Sequence, residues 1–89
     1  MRILVAEDEQ QLSHVLSSAM TASGYQVDIA NNGQEAVEQA KENAYDVIIL
    51  DIMMPVKSGL EALKEIRATG NRTYIMMLTA MGEEDDKVT

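Results

Sequence analysis

Four residues carry the chemistry this sequence offers: Glu7, Asp8, Asp51 and Thr79. Each closes an apolar run. Ile3-Leu4-Val5-Ala6 leads into Glu7-Asp8-Glu9, Val47-Ile48-Ile49-Leu50 leads into Asp51, and Tyr74–Leu78 leads into Thr79-Ala80. Short, nearly all-apolar runs are the mark of strands buried on both faces, as in parallel sheets. In such a sheet every C-terminal strand end lies along one edge, where open α/β sheets bind their ligands. Carboxylates gathered there repel one another, and a proton or a cation must relieve the charge. Magnesium suits such a place, because it takes oxygen ligands and commonly keeps waters and a phosphate oxygen. Asp51 is also a competent nucleophile toward phosphorus. A metal would neutralise charge on a transferring phosphoryl group, and the N–H groups after Asp51 and Thr79 could receive its oxygens.

Each of these residues has a plainer reading. Asp51 alone reads as a strand-end carboxylate capping the next turn, and Glu7-Asp8-Glu9 as acid complementing a helix N-terminus. Thr79 alone is an ordinary cap or turn residue. Their joint placement at three strand ends favours a site. Glu9 keeps the dipole role only. His14, the sole histidine, falls on the polar side of its helix and reads as a surface residue. Met76-Met77 reads as core filling, and Glu83-Glu84-Asp85-Asp86 as the solvated first turn of a helix.

Alternating elements position these ends. Arg2–Ala6 is the first strand. A helix from about Glu9 to Ala22 follows, with Leu12, Val15, Leu16, Ala19 and Met20 on one stripe and Gly24 as its stop. Tyr25–Ala30 alternates as a half-buried strand near an edge. Asn32-Gly33 opens a second helix with Ala36, Val37 and Ala40 inward, ending near Asn43. Tyr45–Asp51 is a central strand. The Pro55 loop leads to a third helix in which Ser58 and Glu61 have capping-box spacing, Leu60, Leu63 and Ile66 face inward, and Gly70 ends the run. Tyr74–Leu78 is the fourth strand. Strict alternation with short links means a parallel sheet with helices on its faces and right-handed crossovers.

Bulk properties narrow the function further. With 89 residues the chain holds one domain. A net charge of −8 makes it a poor direct binder of nucleic acid or anionic lipid. The absence of cysteine removes disulfides, thiolate zinc sites and cysteine nucleophiles. No apolar run approaches a membrane span, and a start on a strand leaves no room for a signal peptide.

Ile3–Glu9, then Asp46-Val47-Ile48-Ile49-Leu50-Asp51-Ile52-Met53-Met54-Pro55 with Ser58-Gly59, then Met77-Leu78-Thr79-Ala80, resemble the receiver domain of bacterial two-component response regulators, most nearly the subclass followed by a winged-helix output domain. The resemblance spans the whole chain, residues 1–89. It implies a flavodoxin-like (CheY-like) α/β fold, an open parallel sheet with strand order 2-1-3-4. It also implies a phosphoacceptor module of the cytoplasm rather than a turnover enzyme. On this resemblance Asp51 accepts a phosphoryl group from a sensor histidine kinase. Mg²⁺ is held by Asp8, Asp51 and the Met53 main-chain carbonyl, with Glu7 acting through a water. Thr79 contacts the phosphoryl group and signals its presence. Ala80 leaves access, and Pro55 and Gly59 shape the loop.

The family continues through a fifth strand, ending in a lysine that contacts the phosphoryl group, and a fifth helix. These 89 residues hold neither, and Lys87 does not fit the lysine's role. The chain is therefore expected to be a receiver cut short before its fifth strand. It is expected to self-associate through an exposed fourth-strand edge. The alternative reading is a fragment unable to accept phosphate that acts only as a self-associating interaction module. A phosphatase with an aspartate nucleophile is disfavoured, because such enzymes carry a second acid two residues on, where this chain has Met53.

Overall fold

The computed structural model describes residues 1–78. Thr79, Ala80, the Glu83–Asp86 run and Lys87 lie outside the described residues. The elements alternate as β1 (Arg2–Ala6), α1 (Gln10–Ala22), β2 (Gln26–Ala30), α2 (Gly33–Glu42), β3 (Val47–Asp51), α3 (Gly59–Ala68) and β4 (Tyr74–Leu78). All pairings are parallel, and the strand order is β2-β1-β3-β4. Register places Ala6 beside Ala30 and Leu50, and Asp51 beside Leu78, so the strands end level with one another.

Alternation along the strands divides the core. Leu4, Ala6, Ile48 and Leu50 face α2 and α3, where Ala36, Val37, Ala40, Ala62 and Ile66 complete one buried cluster. Ile3, Val5 and Ile49 face the other way, toward Leu16 and Met20 of α1. Burial of side chains such as Leu4, Ile48, Leu50 and Ile66 supplies about 2 kcal/mol each.

Local signals set the helix ends. Asn32 accepts the Glu35 N–H at 2.8 Å and opens α2. Ser58 and Glu61 form the reciprocal capping box that their spacing implied. Gly24 and Gly70 follow the ends of α1 and α3.

Two inward faces differ from the sequence reading. In α1 Leu12 and Val15 are 39% and 61% exposed and Ala19 is also outward, while Ser13, Leu16 and Met20 turn toward the sheet. Ser13 is tolerated there because its hydroxyl donates to the Gln10 carbonyl at 3.1 Å. In α3 Leu60 is exposed, and the buried face is Gly59, Ala62 and Ile66. That helix starts so close to β3 that a methyl on Gly59 would overlap the Asp51 carbonyl, so the contact face is built from small residues. On β4, Met77 packs on the core but Met76 is exposed.

At the opposite edge of the sheet from the strand C-termini, Arg2 ties three elements. Its guanidinium donates to Asp28 at 3.1 Å and to Asn43 at 3.2 Å, over the Tyr45 ring. The Tyr45 hydroxyl donates to Asp28 at 2.6 Å. Burial, then the Asp28 carboxylate, push the tyrosine up to about 12.

Candidate functional site

The site lies where β1 and β3, adjacent in the sheet, run out. The chain turns from β1 toward α1 on one face and from β3 toward α3 on the other, so a crevice opens between the two loops. This is the switch point at which open α/β sheets bind ligands. Glu7 follows β1 directly, and its N–H is held by the Ala30 carbonyl of β2 at 3.1 Å. Its side chain is 3% exposed, and its carboxylate accepts the Glu9 N–H at 3.1 Å. Asp8 is exposed and Asp51 is half-buried. One carboxylate oxygen from each of Glu7, Asp8 and Asp51 lies within 4.8 Å of the others.

Crowding has an electrostatic cost. Glu7 is pushed up to about 7, first by burial, against the lowering effect of the Glu9 N–H, and then by the hydrogen bond and charge of Asp51 and the charge of Asp8. The most buried carboxyl therefore keeps its proton as pH falls below about 7 and gives it up above. A divalent cation is the other way to balance this donor set. All-oxygen, anionic and partly open donors suit a hard ion that keeps some of its water.

The β3–α3 loop forms the outer wall. The Met53 N–H donates to Asp51 Oδ1 at 3.3 Å, which orients that carboxylate. Glu7, Glu9, Leu12, Leu16, Asp51, Met53 and Leu78 line a cavity of about 290 Å³ above the cluster. The loop is pinned at both ends. The Gly59 N–H reaches back to the Ile52 carbonyl at 2.9 Å. At the other end a methyl on Gly33 would overlap the Lys57 carbonyl, and Lys57 pairs with Glu65. Between the pins Val56 has φ 67°, left-handed and on a β-branched residue. Such a conformation costs a side chain about 1–2 kcal/mol.

Of the residues read from the sequence, Glu7, Asp8 and Asp51 meet, and Met53 lines their cavity. Thr79 lies outside the described residues. His14 is exposed on α1, as read. The burial of Glu7, the Gly33–Lys57 contact and the turn at Val56 were not read in advance. Only Pro55, beside Val56, hinted at a tight turn.

A doubly wound α/β domain with an acidic crevice at its switch point is the class that this fold and site define. Within that class the chain belongs to the response regulator receiver domain family, whose model matches residues 3–89. It is 41% identical over 88 residues to the transcriptional regulatory protein DltR of Streptococcus agalactiae, covering 99% of this chain and 39% of that protein. The chain therefore spans about two fifths of the length of such curated relatives. Among solved structures it is similar to the response regulator TrrA of Thermotoga maritima in complex with Mg²⁺ and BeF, with 39% identity and a TM-score of 0.86, covering 98% of this chain and 76% of that one. A structure of the T. maritima histidine kinase ThkA in complex with TrrA matches with 43% identity and a TM-score of 0.82, covering 89% of this chain and 68% of that chain. The sheet order expected from the sequence agrees with the observed order among the described residues. No helix among the described residues is long and apolar enough to cross a membrane.

Proposed function

We propose that the chain is a phosphoacceptor module in which Asp51 takes a phosphoryl group from a sensor histidine kinase. The observation that carries this is the convergence of Glu7, Asp8 and Asp51 beneath an open cavity at the ends of β1 and β3. A Thermotoga relative has been solved with Mg²⁺ and BeF and with a histidine kinase, which supports the same ligands here. Asp8, Asp51 and the Met53 main-chain carbonyl would hold Mg²⁺, with Glu7 acting through a water. When bound, the ion neutralises charge on the transferring group.

The chain's own residues do the rest. An Asp51 carboxylate oxygen attacks phosphorus, the bond from phosphorus to the kinase imidazole nitrogen breaks, and that nitrogen keeps the electron pair. The Met53 N–H orients the attacking carboxylate by holding its other oxygen. Thr79 would contact the phosphoryl group beside Leu78. Each modification is a signal and not a turnover, so the module is a switch rather than an enzyme in the ordinary sense. A cytoplasmic location and the absence of direct nucleic-acid binding fit the acidic chain, with its net charge of −8.

Among the described residues β4 pairs only with β3, and its Tyr74 and Met76 are exposed. Self-association through this edge is therefore part of the proposal, and a concentration-independent monomer in sedimentation would count against it. This exposure also favours the second reading, a self-associating interaction module that does not accept phosphate. Intact mass after incubation with a small-molecule phosphodonor and Mg²⁺ separates the two. A single phosphoryl adduct, absent in Asp51→Asn, supports the phosphoacceptor. No adduct on folded, Mg²⁺-binding protein refutes it.

A further inference from the structure

We propose that Asn32-Gly33 is a site of spontaneous covalent modification, loss of the Asn32 side-chain amide through a cyclic imide, and that the folded N-terminus of α2 holds this reaction off until that turn opens. Asn32 is the one asparagine of the chain followed by glycine. A glycine nitrogen is the least hindered nucleophile that can follow an asparagine, because no side chain stands beside it. The Gly33 amide nitrogen, its proton taken by hydroxide, bonds to the Asn32 side-chain carbonyl carbon, and ammonia leaves with the electron pair and a proton from water. Water then opens the imide. Attack at the side-chain carbonyl gives aspartate, and attack at the main-chain carbonyl gives isoaspartate, whose main chain is one carbon longer.

Ring closure needs the main chain and the side chain of Asn32 to swing together onto the Gly33 nitrogen. The fold holds both. Asn32 is extended, at φ −160° and ψ 173°. Its Oδ1 accepts the Glu35 N–H at 2.8 Å, and its carbonyl accepts the Ala36 N–H at 3.1 Å. The preceding Asn31 N–H donates to Glu35 Oε1 at 2.9 Å. Gly33 is buried, and so near the Lys57 carbonyl that a methyl there would overlap it. The two products differ in what they keep. Aspartate still caps α2 and adds a charge that favours the helix end. Isoaspartate lengthens the chain where Gly33 has no room, so an opening that reacts leaves a turn that cannot close again.

Peptide mapping at pH 8 follows the conversion at each asparagine, in buffer and across a urea series. Asn32→Ser is the control, since serine caps α2 and has no amide to lose. Conversion is expected first at Asn32, roughly tenfold or more faster in unfolding urea than in buffer, and nearly flat with urea below the unfolding transition, as local opening requires. Glu35→Ala, which releases the Asn31 N–H, is expected to speed conversion several-fold in buffer and to leave it unchanged in unfolding urea. Equal rates in buffer and unfolding urea overturn the proposal. So does a rate that climbs with global unfolding from the lowest urea, conversion first at another asparagine, or no effect of Glu35→Ala in buffer.

The isoaspartyl form, separated by chromatography, is expected to melt roughly 5 °C below wild type, and Asn32→Asp to match wild type. An isoaspartyl form as stable as wild type overturns the account of a turn that cannot close again.

Discussion

Replacing Glu7 by glutamine removes a charge from the most buried position in the crevice, and its effect on stability follows from the geometry. Glu7 is raised from 4.5 to about 7, so the folded protein holds its proton more tightly than the unfolded chain does. That contribution is complete below pH 4.5 and is lost as pH rises through 7. At about 1.4 kcal/mol per pKa unit, the loss is about 3 kcal/mol without screening. The crevice is open to water beside exposed Asp8, which reduces it to about 1.5 kcal/mol. Glutamine imitates the protonated form. Its carbonyl oxygen can accept the Glu9 N–H and its amide can donate to Asp51, the two partners that Glu7 has. The variant should therefore match wild type at pH 5 and exceed it by about 1.5 kcal/mol at pH 8. Urea unfolding at both pH values, in EDTA so that no metal replaces the proton, measures this. If wild type and variant keep parallel pH profiles, or if glutamine destabilises at pH 8, the account of Glu7 as a strained carboxylate is wrong.

Three further outcomes test the scaffold. Gly33→Ala should cost about 2 kcal/mol in chemical denaturation, because the new methyl meets the Lys57 carbonyl rather than a yielding side chain. Ile66→Ala should cost about 3 kcal/mol, since Ile66 is fully buried between α3 and the sheet; a loss under 1 kcal/mol would mean that the core collapses around the gap. Spectrophotometric titration should show one tyrosine ionising near 12, absent in Tyr45→Phe. Because that tyrosine is raised, its contribution to stability is present below 10 and lost as pH climbs through 12.

The order and type of the elements were legible because apolar strands and periodic helices write themselves into local sequence. The convergence of Glu7, Asp8 and Asp51 followed from parallel topology alone, which puts all strand ends on one edge. Helix faces were less legible where size and contact disagree. Leu60 attracts attention by its bulk, yet α3 approaches β3 so closely that Gly59, Ala62 and Ile66 take the buried side. In α1 the apolar arc is wider than the strip one sheet face covers, so Leu12 and Val15 fall outside it. The Arg2–Asp28–Tyr45 cluster and the Gly33–Lys57 contact join residues far apart in sequence and leave no periodic trace. The turn at Val56 is set by distant pins rather than by valine's own preference, so residue type pointed away from it.

The place of β1 in the sheet has a consequence for how the chain is made. β1 leaves the ribosome first, yet it lies between β2 and β3 and gains its second neighbour only when Val47–Asp51 has emerged. At about 10 residues per second, the stretch from Ala6 to Val47 takes a few seconds to synthesise. For all of that interval the apolar segment Ile3–Ala6 lacks its second neighbour, and until Gln26–Ala30 has emerged it lacks both. Its later partner also brings Asp51 to Glu7 and Asp8. The nascent chain therefore acquires its central strand pairing and its acidic crevice in one event, and any pause in translation before Val47 prolongs the exposure of β1.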